Sequence, residues 1–163
     1  MRNRPYTQQE LNTQTKEYCA NLRERVIKHR RNCLAEEISS LKDDRWDIPR
    51  VAVSCGSLKS PYLSANGRNS SYVRNMHPTL LQAHLQKGIY IGFKPLRTIP
   101  NAEYFVAGQC AEPHAAHHLL NEVTKYGGYI SVIDILFSLA YRVKNSTVRP
   151  YCQTCKTIFP QLR

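Results

Sequence analysis

The sequence predicts one α/β domain, in which helices flank a small mixed sheet that begins with an antiparallel hairpin. An N-terminal helical extension (residues 1–48) precedes the core (residues 49–163). Residues 6–48 contain no glycine or proline and repeat apolar side chains at helical spacing, whereas residues 51–55 alternate with the period of two that is typical of a strand. A second helical stripe occurs later, at Ala116, Leu119, Leu120 and Val123.

The first half of the chain supplies the extension and the hairpin. The extension is expected to form one long helix or two shorter ones, which Pro49 ends. After the first strand and a loop, residues 62–65 predict a second short strand. The pair Asn66-Gly67 tolerates positive φ and is expected to stop this second strand.

The second half of the chain supplies three more helices. One opens at His77-Pro78 and closes at Gly88, one begins near Glu112 and ends before Gly127, and a short one covers residues 152–159. Residues 130–143 are strongly apolar, and periodicity leaves open whether they form a helix and a strand or one long buried strand. Two further candidate strands are residues 89–93 and 104–106.

The charge balance indicates an anionic partner. There are 23 Lys and Arg residues against 12 Asp and Glu, a formal net charge of +11, and such a positive field concentrates DNA or RNA at the protein surface. A basic charge that only aids solubility is the alternative, because charge does not identify a substrate. No run of about 18 apolar residues occurs and residues 1–17 carry no apolar segment, so neither a membrane span nor a cleaved leader is expected.

A cysteine and a glutamate lie together at the start of the second striped helix. Glu112 lies one helical turn before Ala116, on the buried side, and Cys110 comes just before Glu112. The positive end of a helix dipole stabilises a thiolate as well as a carboxylate. Glu112 could therefore have no function beyond this favourable interaction with the helix dipole, which is typically worth about 0.3 to 1 kcal/mol.

Two more cysteines complete a candidate zinc site. Cys152 and Cys155 form a Cys-x-x-Cys pair at the predicted start of the last helix, and together with Cys110 they supply three thiolates. Three protein ligands leave one tetrahedral position for water, as in catalytic zinc sites, whereas structural sites are closed by four ligands. Glu112 is then the candidate general acid and base, because its position in the sequence places it beside a ligand.

Two segments resemble the two-part signature of the cytidine deaminase-like superfamily: Cys110-Ala111-Glu112 and Pro150-Tyr151-Cys152-Gln153-Thr154-Cys155. Members of that superfamily attack C4 of cytosine or C6 of adenine with zinc-activated water. The order of elements over residues 49–159 matches that fold. The Cys-Ala-Glu-Pro form is most similar to the YwqJ-like deaminases of bacterial polymorphic toxins.

The chain departs from the family pattern at two places. Tyr151 separates Pro150 from Cys152, where many members have proline directly before the cysteine. Only 8 residues follow Cys155, so the two further strands that many relatives carry have no room. The sheet is therefore expected to be smaller, or to be completed by strands that precede Cys110.

The resemblance implies a three-layer sandwich and a zinc-dependent hydrolytic deaminase that converts cytosine to uracil in nucleic acid. It places Zn²⁺ on the three cysteines and gives the proton transfers to Glu112. It further implies substrate contacts from Asn66, Ala111 and Tyr151, although Asn66 also suits a plain turn and Tyr151 plain packing. A toxin of this kind acts in the cytoplasm, is delivered as part of a larger protein, and is opposed by an immunity protein.

Several alternatives stay open. If the chain is a deaminase, the base could be adenine instead of cytosine, and the substrate could be a free nucleoside or nucleotide instead of nucleic acid. Among nucleic acids, a single strand is favoured, because in a duplex the base must first be flipped out. A non-catalytic zinc module that binds nucleic acid would need a fourth ligand, such as Cys55 or a histidine. A thiol oxidoreductase would use Cys152 and Cys155.

Overall fold

The computed structural model describes residues 2–32, 49–94 and 106–162. The helices are α1 (Gln8–Asn32), α2 (Pro78–Leu85), α3 (Ala111–Lys125) and α4 (Gln153–Ile158). The strands are β1 (Val51–Ser57), β2 (Ser64–Arg68), β3 (Ile135–Phe137), β4 (Ala140–Arg142) and β5 (Val148–Arg149). The predicted helical stretch over residues 33–48 and most of the candidate strand at 104–106 lie outside the described residues. Within the described ranges, no helix has both the length and the apolar character needed to span a bilayer.

Strand β1 lies at the centre of the sheet. It pairs with β2 on one edge and with β3 and β4 on the other, and β5 extends β4. Every pairing between these described strands is antiparallel, so the prediction of a mixed sheet is wrong. Strands β2 and β3 run in the same direction, which the long helical connection between them permits. Because β1 lies between these two strands, they do not pair with each other.

The two faces of β1 are covered by different helices. Val53 and Cys55 belong to the main core, which α3 covers with its buried side. Ala52 faces the other way and packs with α1, in a smaller cluster formed by Cys19, Leu22, Ala52, Tyr141 and Val143. The chain thus builds a helix, sheet and helix stack, and the α/β class predicted from the sequence is confirmed.

The Asn66-Gly67 pair lies inside β2 and does not end it. Asn66 is in register with Ser54 of β1, and Gly67 is in register with Val53. A Cβ atom at position 67 would lie 2.3 Å from the backbone nitrogen of Ala115. Glycine is therefore required here for the close approach of α3 to the sheet rather than for a turn, which is why the predicted end of the strand is wrong.

Residues 89–93 form a turn, so the strand predicted there is also wrong. The amide of Ile89 donates to the carbonyl of His84, and the amide of Phe93 donates to the carbonyl of Tyr90. Gly92 has φ +87°, a left-handed conformation that interrupts an extended chain. The amide of Gly92 and the carbonyl of Phe93 both bond to Ala107, but the turn at Gly92 keeps this pairing from extending into a strand.

The apolar stretch at residues 130–143 combines a short helix with two strands. A 3-10 turn over Val132–Asp134 leads into β3. Between β3 and β4, the Ser138 hydroxyl accepts from the amide of Ser54, and the Ser138 amide donates to the carbonyl of Ser54. These two hydrogen bonds hold Ser138, which separates β3 from β4, against β1. Both short strands therefore pair with the same edge of β1.

Candidate functional site

The N-terminus of α3 brings the first two predicted site residues together. Cys110 is the N-cap residue of α3 and Glu112 lies in its first turn. The glutamate side chain is buried, with only 3% of the residue exposed. It is held there because Ala111 and Ala115 on the same face of α3 pack closely over Gly67 of β2.

The start of α4 supplies the other two cysteines. Cys152 is the N-cap residue of α4, and its sulfur accepts a hydrogen bond of 3.3 Å from the amide of Cys155. Cys155 is buried, whereas Cys152 is partly exposed. The short β5 strand comes just before this turn and fixes the start of α4 against the sheet.

The three sulfur atoms converge. The Sγ atoms of Cys110, Cys152 and Cys155 all lie within 4.8 Å of one another, close enough to hold a metal ion. Cys110 and Cys152 are the nearest pair, with a distance of 3.3 Å between their sulfurs. Over the described part of the chain, no fourth His, Cys, Asp or Glu joins this group, and Cys55, the fourth ligand considered from the sequence, is not a member.

The thiols share negative charge unequally. Hydrogen bonds from Cys110 and then from Cys155 lower the pKa of Cys152 to about 3. The hydrogen bond with Cys152 raises the pKa of Cys110, and hydrogen bonds with Cys110 and then with Cys152 raise the pKa of Cys155. A metal ion replaces the thiol protons when it binds, since thiolates are the ligand form. Three sulfur donors suit a soft ion such as zinc or Cu(I) and do not suit Mg²⁺ or Ca²⁺.

Glu112 lies beside the sulfurs. The thiol of Cys155 donates to Oε2 of Glu112 over 3.4 Å. Burial, together with the negative charge of Cys152, raises the pKa of the Glu112 carboxyl to about 7. A carboxyl group in this environment can carry or release a proton near neutral pH.

A cleft of about 970 Å³ opens onto this group. Its wall includes Glu112 and the three cysteines, and it also includes Arg50, Arg68 and Arg149. Among the described wall residues Glu112 is the only carboxylate, and in the described ranges none of the three arginines forms an ion pair. The wall of the cleft therefore combines three arginines with one buried acid.

The predicted substrate contacts fall at different places. Ala111 and Tyr151 line the cleft, and the hydroxyl of Tyr151 donates to the carbonyl of Ser138. Asn66 is not part of the cleft wall. Its Oδ1 accepts hydrogen bonds of 2.7 Å from the side-chain Nε2 of Gln14 and 2.7 Å from the hydroxyl of Ser54, which ties α1 to the hairpin.

Sequence reasoning missed several cleft residues. Asn69 lines the wall and accepts a hydrogen bond of 2.8 Å at Oδ1 from the amide of Val51. His84 also lines the wall, although it lies on α2, far from the cysteines in sequence. Of the missed residues only Arg149 carried a signal, because it directly precedes the Pro-Tyr-Cys segment. The others are brought to the cleft by the tertiary fold.

Comparisons with known proteins give no match for this chain. No protein-family model, no curated protein and no solved structure matches it.

Proposed function

We propose that this chain is a zinc-dependent hydrolytic deaminase that converts cytosine to uracil in single-stranded nucleic acid. The observation that carries the proposal is the juxtaposition at the cleft: three sulfurs within 4.8 Å of one another and a buried carboxyl 3.4 Å from one of them. A structural zinc site has no need of a buried acid beside it or of a cleft that opens onto it.

The metal-binding part of the proposal rests on the donor set. Cys110, Cys152 and Cys155 would hold the ion, and three protein ligands fit a catalytic site better than a structural one. When bound, zinc supplies Lewis acidity that makes water a nucleophile near neutral pH. Thiolates donate much negative charge to the ion, so a neighbouring base is needed to take the proton from water.

Glu112 is the residue that we assign to proton transfer. Hydrolysis of cytosine forms a C4–O bond, breaks the C4–N bond and releases ammonia, so one water is consumed. In this reaction, Oε2 of Glu112 takes a proton from the water and passes protons to the ring nitrogen and to the departing amino group. Its burial supports this role, because burial raises the pKa of the Glu112 carboxyl, and a raised pKa suits a group that both accepts and donates protons near neutral pH.

The three arginines in the cleft wall support a phosphate-bearing substrate. Arg50, Arg68 and Arg149 line the cleft, and the sequence as a whole carries a formal net charge of +11. Arginine pairs well with phosphate oxygens, whereas a free base or nucleoside offers no anion. The preference for cytosine and the role as a delivered toxin that acts in the cytoplasm and is opposed by an immunity protein rest on the family resemblance alone.

The test is incubation of the zinc-loaded protein with a pool of single-stranded DNA and RNA oligonucleotides, followed by sequencing. We expect cytosine to be read as thymine in one of the two pools. Glu112→Gln should lower this conversion by at least about 100-fold, the lower limit for a positioned acid or base, and retain zinc. The matched control is Glu122→Gln, an exposed position on the same helix, which should keep full activity.

Two outcomes would contradict the proposal. Full activity in Glu112→Gln would remove the assigned mechanism. An active-site metal without conversion of any base in either pool would favour a structural zinc module that binds nucleic acid.

A further inference from the structure

His84 is a buried histidine in the wall of the cleft. It lies near the end of α2, 1% exposed, and no step of the proposed chemistry uses it. Its position is set by the helix, whose residue Leu80 packs into the main core one turn earlier.

The hydrogen bonding of His84 fixes which ring nitrogen carries the proton. Nδ1 lies 2.8 Å from the carbonyl oxygen of Leu80. A carbonyl only accepts, so Nδ1 must donate and Nε2 of the neutral ring carries the lone pair. Burial lowers the pKa of His84, which keeps the ring neutral and Nε2 an acceptor.

Nε2 of His84 is buried and has no hydrogen-bond partner in the part of the chain that the structure describes. A buried acceptor without a partner costs free energy, and such atoms are rare in folded proteins. An apolar side chain of the same size would fill the position without that cost. The presence of histidine at a cleft wall therefore indicates a donor that arrives with a ligand.

We propose that Nε2 of His84 accepts a hydrogen bond from the nucleoside part of the bound substrate. The inference rests on the proposed function, because it takes the ligand to be a nucleotide unit. Phosphate diester oxygens carry no proton to donate, so His84 must contact an N–H of the base or an O–H of the sugar. The arginines in the wall of the cleft supply the complementary phosphate contacts.

The direct test is nitrogen NMR of the His84 ring in zinc-loaded Glu112→Gln protein, which binds without turnover. The probes are a deoxycytidine oligonucleotide and its ribose counterpart. We expect the Nε2 resonance to move when either is added if the donor is a base N–H. Movement with the ribose probe alone would assign the donor to the 2′-hydroxyl.

Variants separate binding from packing. In the same Glu112→Gln background, His84→Phe keeps the volume and removes the acceptor, and we expect the oligonucleotide to bind about 3- to 10-fold more weakly, the range for the removal of one neutral hydrogen bond. His84→Gln, which restores an acceptor near the Nε2 position, should recover part of the affinity. The matched control His118→Phe alters an exposed histidine on α3 and should bind as the parent does.

Each contrary outcome has one meaning. If backbone signals of Arg149 and Tyr151 shift on titration while Nε2 of His84 does not, or if His84→Phe binds with unchanged affinity, the assignment of His84 is overturned and the proposed function stands. If His84→Phe unfolds more easily but its folded fraction binds normally, His84 only packs. If no signal shifts with either probe, nucleic acid is not the ligand and both proposals fall.

Discussion

Gly67 of β2 lies directly beneath Ala115 of α3, so close that a Cβ at position 67 would sit 2.3 Å from the Ala115 nitrogen. This close packing holds the N-terminal half of α3, which carries Cys110 and Glu112, against the sheet. The position of the candidate site thus depends on the absence of one side chain.

Gly67→Ala should therefore destabilise the fold strongly. The added methyl meets helix backbone and not a movable side chain, so α3 must shift, at a cost of about 3 kcal/mol or more. We expect urea unfolding at a lower midpoint and a lower zinc content. Gly127→Ala is the control, because φ is +76° there but nothing lies within 4 Å, and only the backbone strain of about 1 kcal/mol applies.

Metal content should follow the sulfur group. Replacement of Cys110, Cys152 or Cys155 by alanine should each abolish stoichiometric zinc binding, because two sulfurs cannot hold the ion as three do. Cys55→Ala should retain it, since Cys55 is not part of the group. Elemental analysis of gel-filtered protein measures this. Zinc retained by all three single variants would mean that the ion lies elsewhere.

The N-terminal ion cluster should make folding sensitive to acid. Glu10 accepts from the side chains of Arg4 and Arg2 and from the amide of Thr7. The hydrogen bond from Arg4 comes first among the contacts that lower the pKa of Glu10 to about 2. A lowered folded pKa contributes stability that is present above the ordinary value of 4.5 and is lost as pH falls toward 2.

We therefore expect Glu10→Gln to lower the urea midpoint at pH 7 and to have little effect near pH 2. The matched control is Glu17→Gln, an exposed position on the same helix. An equal loss for Glu10→Gln at both pH values would show that the charge of Glu10 contributes nothing.

Asn66→Ala tests two roles against each other. The structure uses Oδ1 of Asn66 to accept from Gln14 and Ser54, so we expect a loss of about 1–3 kcal/mol in unfolding free energy, the cost of leaving partly buried donors unpaired. Conversion of cytosine by the folded fraction should match that of Gln14→Ala, which breaks the same contact from the other side. Loss of activity at unchanged stability would instead support the substrate contact that the family resemblance implies.

The three arginines of the cleft should set the salt dependence of binding. For single strands, the slope of log K against log salt becomes shallower by about 0.7 for each phosphate that the protein no longer neutralises. Single replacements of Arg50, Arg68 and Arg149 by alanine should each reduce the slope by about that amount. Lys125→Ala, at the far end of α3, should change it little, and equal slopes in all four variants would place the nucleic acid elsewhere.

The sequence predicts the helix starts of the candidate site, because these are decided by neighbouring residues. The start of α3, with Cys110 and Glu112, could be placed because its stripe and first-turn proline do not depend on distant residues. The same holds for the short helix after Cys152. That these two helix starts meet could be inferred only through the chemistry of a shared metal.

Features set by contacts between distant segments could not be predicted. Asn66-Gly67 has the composition of a turn, but pairing with β1 and close packing against α3 keep these two residues in an extended strand. The antiparallel sheet depends on which edge of β1 the later strands join, and periodicity carries no such information. His84 reaches the cleft through packing of α2, for which its neighbours in sequence give no sign.

The central place of β1 has a consequence for biosynthesis. During synthesis, β2 follows β1 within a few residues, whereas residue 137, which pairs with residue 55, is added much later. Until then one edge of the hairpin offers open amides and carbonyls to any other strand, and such late closure is slow. A nascent or truncated chain that ends before β3 should therefore aggregate, and its folding should depend on chaperones until residues 135–149, which form β3 to β5, emerge.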